Sequence, residues 1–178
     1  YQVLNAKDYG LPQLRSRIFV VGIRNDISNK ESFEFPKPIE LVAKSTEYLQ
    51  DNVDDKYYLG KKGFEWMTTP EKHQRRSRVN QDIIGCQTAN QQDNWIGDFR
   101  IEKPEPQHYS DPRIYVGQFE GHDAVARKMT PIECIRLMGF KNFKIIVDDK
   151  RMYRQAGNSI AVPVLNEIIK QLKPILNY

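Results

Sequence analysis

From Arg17 to Ile23 the sequence reads RIFVVGI, and no other stretch limits the possible folds as much. Residues 18–23 are almost wholly apolar, which predicts a strand buried on both faces. Leading into that run, Gln13, Arg15 and Arg17 occupy every second position. Side chains two apart in an extended chain point to the same side, about 7 Å between successive positions. An amide and two guanidinium groups therefore share one face at the lip of a strand that should exclude cations. An ordinary salt-bridge network would explain them, and so would a binding pocket.

The 178 residues suit one domain or a small pair. Residues 1–43 read as two strands and a connection: YQVLNA, then DYGLP, then RIFVVGI. Pro36 and Pro38 hold FEFPKPIEL extended and out of any ladder. Residues 44–120 are polar and irregular, with short strand-like pieces broken by turns, as in VNQDIIGCQTANQQDNWIGDFRI. That composition predicts a loop-rich β or α+β unit, with Trp66, Trp95, Tyr57 and Tyr58 as aromatics of a small core.

Residues 121–178 predict two helices. Thr130 as N-cap, Pro131 at the first helical position and Glu133 three after the cap form a capping box. Gly139 can close that helix. The second helix carries Leu165, Ile168, Ile169, Leu172, Ile175 and Leu176 at helical spacing. Pro163 is tolerable only in a first turn, so this helix should begin near Ser159 or Ile160. Gly157, Asn158 and Ser159 would then sit at a helix N-terminus, whose free N–H groups suit a polar or anionic ligand.

Net charge is +4 and the pI about 9.0, a mild bias toward polyanions. The densest basic run is KHQRRSR, in which Lys72, Arg75, Arg76 and Arg78 suit DNA phosphates or equally a solvated surface. Cys86 and Cys134 lie far apart, which speaks against a disulfide framework and for a reducing cytoplasm. No run approaches the roughly 20 apolar residues of a membrane span, and no signal peptide is visible. His73, His108 and His122 are scattered, so no metal site is expected. Tyr1 opens directly into a strand-like segment, which reads as a piece of a longer protein.

Three segments carry a family resemblance in order and spacing: YGLPQLRSRIFVVGIR, ARKMTPIECIRLMGF and YRQAGNSIAVPVL. Together they resemble the C-terminal conserved motifs of the C5-cytosine DNA methyltransferases. The first is similar to the family's Q-x-R-x-R block, the second to its R-x-hydrophobic-T-x-x-E-x-x-R block, and the third to its G-N-S block. The likeness covers residues 1–43 and 121–178. It implies an α/β fold: the C-terminal portion of a Rossmann-like S-adenosylmethionine-dependent methyltransferase sheet plus a loop-rich β or α+β target recognition domain. Residues 1–43 would supply the last catalytic strands, 44–126 the recognition domain, and 127–178 a bracing helix and a helix returning to the catalytic domain.

The resemblance also implies roles. Arg17 would contact a cytosine flipped out of double-stranded DNA, with Arg15 and Gln13 holding neighbouring groups. Asn158 and Ser159 would contact S-adenosylmethionine. Arg127, Glu133 and Arg136 would brace the recognition domain. Neither Cys86 nor Cys134 has the family's Pro-Cys-Gln context, and the glycine-rich cofactor loop and Glu-Asn-Val motif are absent. The chain is thus expected to need a missing catalytic half, in the same polypeptide or a separate subunit, and to be inactive alone. The short recognition segment points to a bacterial restriction-modification enzyme of the cytosol and nucleoid. A noncatalytic DNA-binding specificity subunit is the competing expectation.

Overall fold

The computed structural model describes residues 1–26, 32–69 and 77–176. Strands β1 (Gln2–Asn5) and β2 (Ser16–Phe19) form an antiparallel pair, with Val3 opposite Ile18 and Leu4 opposite Arg17. The pleat sorts this pair into two faces. Leu4 and Phe19 point toward Ala161, Val164 and Ile168 and build one core. Val3, Ile18 and Val20 point the other way and are 56%, 68% and 77% exposed. This corrects the expectation of a strand buried on both faces. β2 ends at Phe19, and the described chain supplies a covering layer to one face alone.

The middle segment builds a second sheet. Its strands are β3 (Ser77–Val79), β4 (Gly97–Glu102), β5 (Gly117–Phe119) and β6 (His122–Lys128), in spatial order β3-β4-β6-β5. β3 and β4 run parallel, and the other two pairings are antiparallel. Glu120 and Gly121 link β5 to β6 with φ of 50° and 81°, the two positive values that a tight hairpin turn requires. Helix α1 (Lys61–Thr68) lays Phe64 and Met67 on Phe99, Ile101, Ala124 and Ala126. Trp66 and Trp95 pack against that core with ring centroids 5.4 Å apart.

Three helices follow. α2 (Pro131–Arg136) starts as its sequence predicts: the Glu133 N–H donates to Thr130 Oγ1, and Glu133 Oε2 accepts from the Thr130 N–H at 2.7 Å. Gly139 closes it at φ 86°, where an added Cβ would stand 2.4 Å from Pro163 Cδ. α3 (Asp149–Asn158) is a separate helix, which the sequence pattern does not distinguish from its successor; Asp148 caps it by accepting from the Arg151 N–H. α4 (Val162–Leu176) carries Pro163 at its second position.

Asn158 and Ser159 consequently lie at the C-terminal end of α3, not at the N-terminus of α4. Ser159 terminates α3 by donating both its N–H and its hydroxyl to the Ala156 carbonyl. The local electrostatics are inverted: a helix C-terminus presents carbonyl oxygens and attracts cations.

A third core, containing Ile84, Met129, Ile135, Leu137, Met152 and Ala156, joins α2 and α3 to the segment between β3 and β4. That segment reaches back to the first hairpin. The Leu14 N–H donates to the Ile84 carbonyl, and the Ile84 N–H donates to the Pro12 carbonyl, both at 2.9 Å. None of the described helices is long and apolar enough to cross a membrane.

Candidate functional site

Gln13, Arg15 and Arg17 converge on residues Cys86 and Gln87. Gln13 is fully buried; its Nε2 donates to the Leu137 carbonyl at 2.9 Å, and its Oε1 accepts from the Gln87 N–H at 3.2 Å. Arg15 is 4% exposed. Its Nη1 donates to the Gln87 carbonyl at 2.8 Å, and its Nη2 donates to the carbonyls of Gly157 and Ser159 at 2.9 and 2.6 Å. Arg15 is thus the cation that the carbonyl-rich end of α3 calls for. Burial lowers the pKa of its guanidinium, with Arg17 adding to the effect and Cys86 opposing it.

Arg17 differs. It lies exposed, and its Nη1 donates to the Ser16 carbonyl at 2.8 Å. Its Nη2 stands 3.5 Å from Cys86 Sγ, the same distance that separates that sulfur from Arg15 Nη1. Cys86 is exposed between the two guanidinium groups. No sequence signal marks this position, because Cys86 lies 69 residues beyond Arg17 in a segment without periodicity.

The 86–89 segment also packs tightly on α3. A Cβ added to Gly157 would stand 2.1 Å from the Thr88 carbonyl carbon, so only glycine permits this approach. The Asn158 side chain is exposed and its amide has no partner among the described residues. Asn158, Ser159, Arg151 and Arg154 line a cavity of about 490 Å³.

The brace around Arg127 is buried and complete. Its Nη1 and Nη2 bind both carboxylate oxygens of Glu133 at 2.9 and 3.0 Å, and its Nε donates to Glu102 Oε2 at 2.8 Å. Burial alone would lower the Arg127 pKa, but the two carboxylates outweigh it and hold the group firmly charged. Glu133 also accepts from the Gln50 N–H at 3.0 Å. This network ties β4, β6 and α2 together. Arg136 sits at its edge, donating to the Leu49 carbonyl.

Of the basic run, Lys72, Arg75 and Arg76 lie outside the described residues. Arg78 is half-exposed and donates to Asp98 Oδ2 at 3.1 Å. Cys134 is buried within α2, and burial pushes its thiol pKa well up, so it is inert as a nucleophile. Among the described residues no group of three or more His, Cys, Asp or Glu could hold a metal ion.

Residues 1–174 match the family model described as C-5 cytosine-specific DNA methylase. The chain is 35% identical to the Type II methyltransferase M.SsoII of Shigella sonnei, covering 97% of this chain and 43% of that protein. It is 32% identical to M.NlaX of Neisseria lactamica, covering 99% and 52%, and 30% identical to M.HhaI of Haemophilus parahaemolyticus, covering 99% and 54%. The chain therefore spans about half the length of these relatives. Among solved structures it resembles the Entamoeba histolytica methyltransferase EhMeth, with a TM-score of 0.62 at 17% identity over 97% of this chain and 52% of that one. It also resembles S. pombe Dnmt2, with a TM-score of 0.60 at 21% identity over 99% and 57%. At these identities the structural likeness speaks for the fold alone, the α/β architecture of the C-terminal part of such methyltransferases.

Proposed function

The chain belongs to the C-5 cytosine-specific DNA methylases, and from that premise we propose that it is the C-terminal portion of a sequence-specific DNA (cytosine-5) methyltransferase. The whole enzyme transfers a methyl group from S-adenosylmethionine to C5 of a cytosine turned out of double-stranded DNA, as part of a bacterial restriction-modification system. The observation that carries this reading is the meeting of Arg15 and Arg17 with the 86–87 peptide and the end of α3.

Methylation at C5 begins with a nucleophile adding at C6, which drives negative charge into the ring. A fixed cation beside the ring stabilises that charge, and one such donor contributes on the order of 3 kcal/mol to lowering the barrier. Arg17 suits this role, because it is exposed, anchored through the Ser16 carbonyl, and keeps N–H groups free for a ligand. Arg15 and Gln13 act as positioning residues. They hold the Gln87 backbone at its N–H and at its carbonyl and leave Arg17 facing outward.

S-adenosylmethionine would supply the methyl group. The donor set at the end of α3 fits its polar edge, because the Asn158 amide has no other partner among the described residues. The Ser159 hydroxyl is already engaged with Ala156, so Ser159 contributes mainly by fixing the turn.

The nucleophile comes from the catalytic half, since Cys134 is buried and Cys86 follows Gly85, outside a Pro-Cys-Gln context. The bare apolar face of Val3, Ile18 and Val20 suits that half as its covering layer. Mixing the chain with the N-terminal portion of a Type II relative and following transfer of labelled methyl groups to DNA tests the reading. Methylation by the mixture and by neither part alone is expected. DNA binding without methylation in every such pairing would favour a noncatalytic specificity module.

A further inference from the structure

From Lys141 to Val147, between α2 and α3, the chain has no helix, hydrogen-bonded turn or ladder partner. No peptide N–H or carbonyl of this stretch has a hydrogen-bond partner among the described residues. Exposure alternates along it. Phe143, Ile145 and Val147 pack against the third core, whereas Lys144 and Ile146 face out, with Ile146 83% exposed. Such alternation is that of an extended chain. Phe143, Ile145, Ile146 and Val147 are also residue types that favour strands. An extended stretch with unpaired peptide groups is a template for another strand.

A groove of about 940 Å³ runs beside it. Ile132, Phe140, Phe143 and Ile145 give the groove an apolar lining, and Arg136, Lys141 and Lys144 supply three cations against one acid, Glu47. Glu47 is already engaged, accepting from the Lys44 N–H. Lys141 and Lys144 are exposed and have no partner among the described residues. A DNA backbone would meet these lysines but leave the apolar lining wet. An uncharged apolar chain would do the reverse. A segment that alternates acidic and apolar side chains satisfies both. Leu11 and Pro163 also line the groove, which puts it on the α4 side of the first hairpin, opposite the bare face of Val3, Ile18 and Val20.

We propose that the 141–147 stretch and its groove form a docking site for an extended acidic segment of a partner protein, which adds alongside as a strand. Main-chain hydrogen bonds to the unpaired peptide groups supply affinity, and the groove selects every second side chain. Lys141 and Lys144 select for acids between them. The proposal does not depend on methyl transfer.

The test selects a displayed library of random short peptides against the 178-residue chain and then measures binding of the enriched peptides by fluorescence anisotropy. Enriched peptides should alternate Asp or Glu with Ile, Val or Phe. Hydrogen exchange at residues 143–147 should slow when they bind. Methylating alternate backbone nitrogens of such a peptide removes its strand donors and should abolish binding to the unaltered chain. Lys141→Glu combined with Lys144→Glu should weaken binding on the order of tenfold. Melting curves check that this double variant folds, and the methylated peptides decide if it does not. Enrichment of no peptide, or of peptides without acids, overturns the proposal. So does binding that survives either the backbone methylation or the reversal of both lysines in a folded variant. Displacement of the peptide by a short DNA duplex would assign the groove to nucleic acid, and displacement by the N-terminal portion of a Type II relative would assign it to the catalytic half; either result overturns the proposal.

Discussion

Arg15 and Arg17 stand two residues apart and do opposite work. Arg15 directs its donors to three backbone carbonyls inside the protein, whereas Arg17 holds its neighbour's carbonyl and faces outward. Arg15→Ala would strand those carbonyls and should lower stability on the order of 3 kcal/mol, read from urea denaturation. Arg17→Ala should stay within about 0.5 kcal/mol of the parent in the same measurement. It should cut methyl transfer by the reconstituted enzyme on the order of 100-fold. Equal stability losses from the two substitutions would contradict this division. The alternation that first draws attention to these residues is legible in the sequence, but their common target is not. Cys86 and Gln87 sit some 70 residues downstream in a stretch with no repeating pattern, and only the fold brings them near.

At the scale of elements, legibility follows the density of local signals. α2 is announced by its cap, its proline and Glu133, all within four residues. α3 is not legible because its buried face is short, no more than Met152, Ala156 and Gly157 in an otherwise polar helix. The presence of α3 places Asn158 and Ser159 at a helix end in place of the expected helix start, and it exchanges an expected anion site for a cation-binding one. The packing of α3 on the 86–89 segment depends on Gly157. Gly157→Ala would force a Cβ to within 2.1 Å of the Thr88 backbone. Relief requires the helix or the segment to move, at a cost of about 3 kcal/mol. The expected result is a lowered melting temperature with faster hydrogen exchange at residues 84–89. Unchanged exchange there would show that the segment does not rest on α3.

Across the whole molecule, the three segments are joined by polar groups as much as by apolar packing. Arg127 clamps the four-stranded sheet to α2, and Tyr57 donates from its hydroxyl to Asp149 at the start of α3. Burial, reinforced by that carboxylate, pushes the Tyr57 pKa up to about 12. Burial and Glu102 do the same for Tyr58. An unfolded tyrosine ionises near 10, so between pH 10 and about 12 the unfolded chain loses these protons before the folded chain does. Stability should therefore fall as pH rises through that window. Melting temperatures across the window check this, and Tyr57→Phe should flatten the decline. A flat profile in the parent would mean that the two hydroxyls are not held in the folded state.

The Gln87 backbone is gripped on its N–H by Gln13 and on its carbonyl by Arg15, in the two peptide units that flank its Cα. A sideways shift of this residue cannot leave both grips intact: either a bond breaks or Arg15 is dragged along and α3 with it. In the proposed enzyme, a poorly matched duplex that nudges this linkage would misalign the reacting end as well. Discrimination between DNA sites would then register in turnover, even where two sites bind with equal strength.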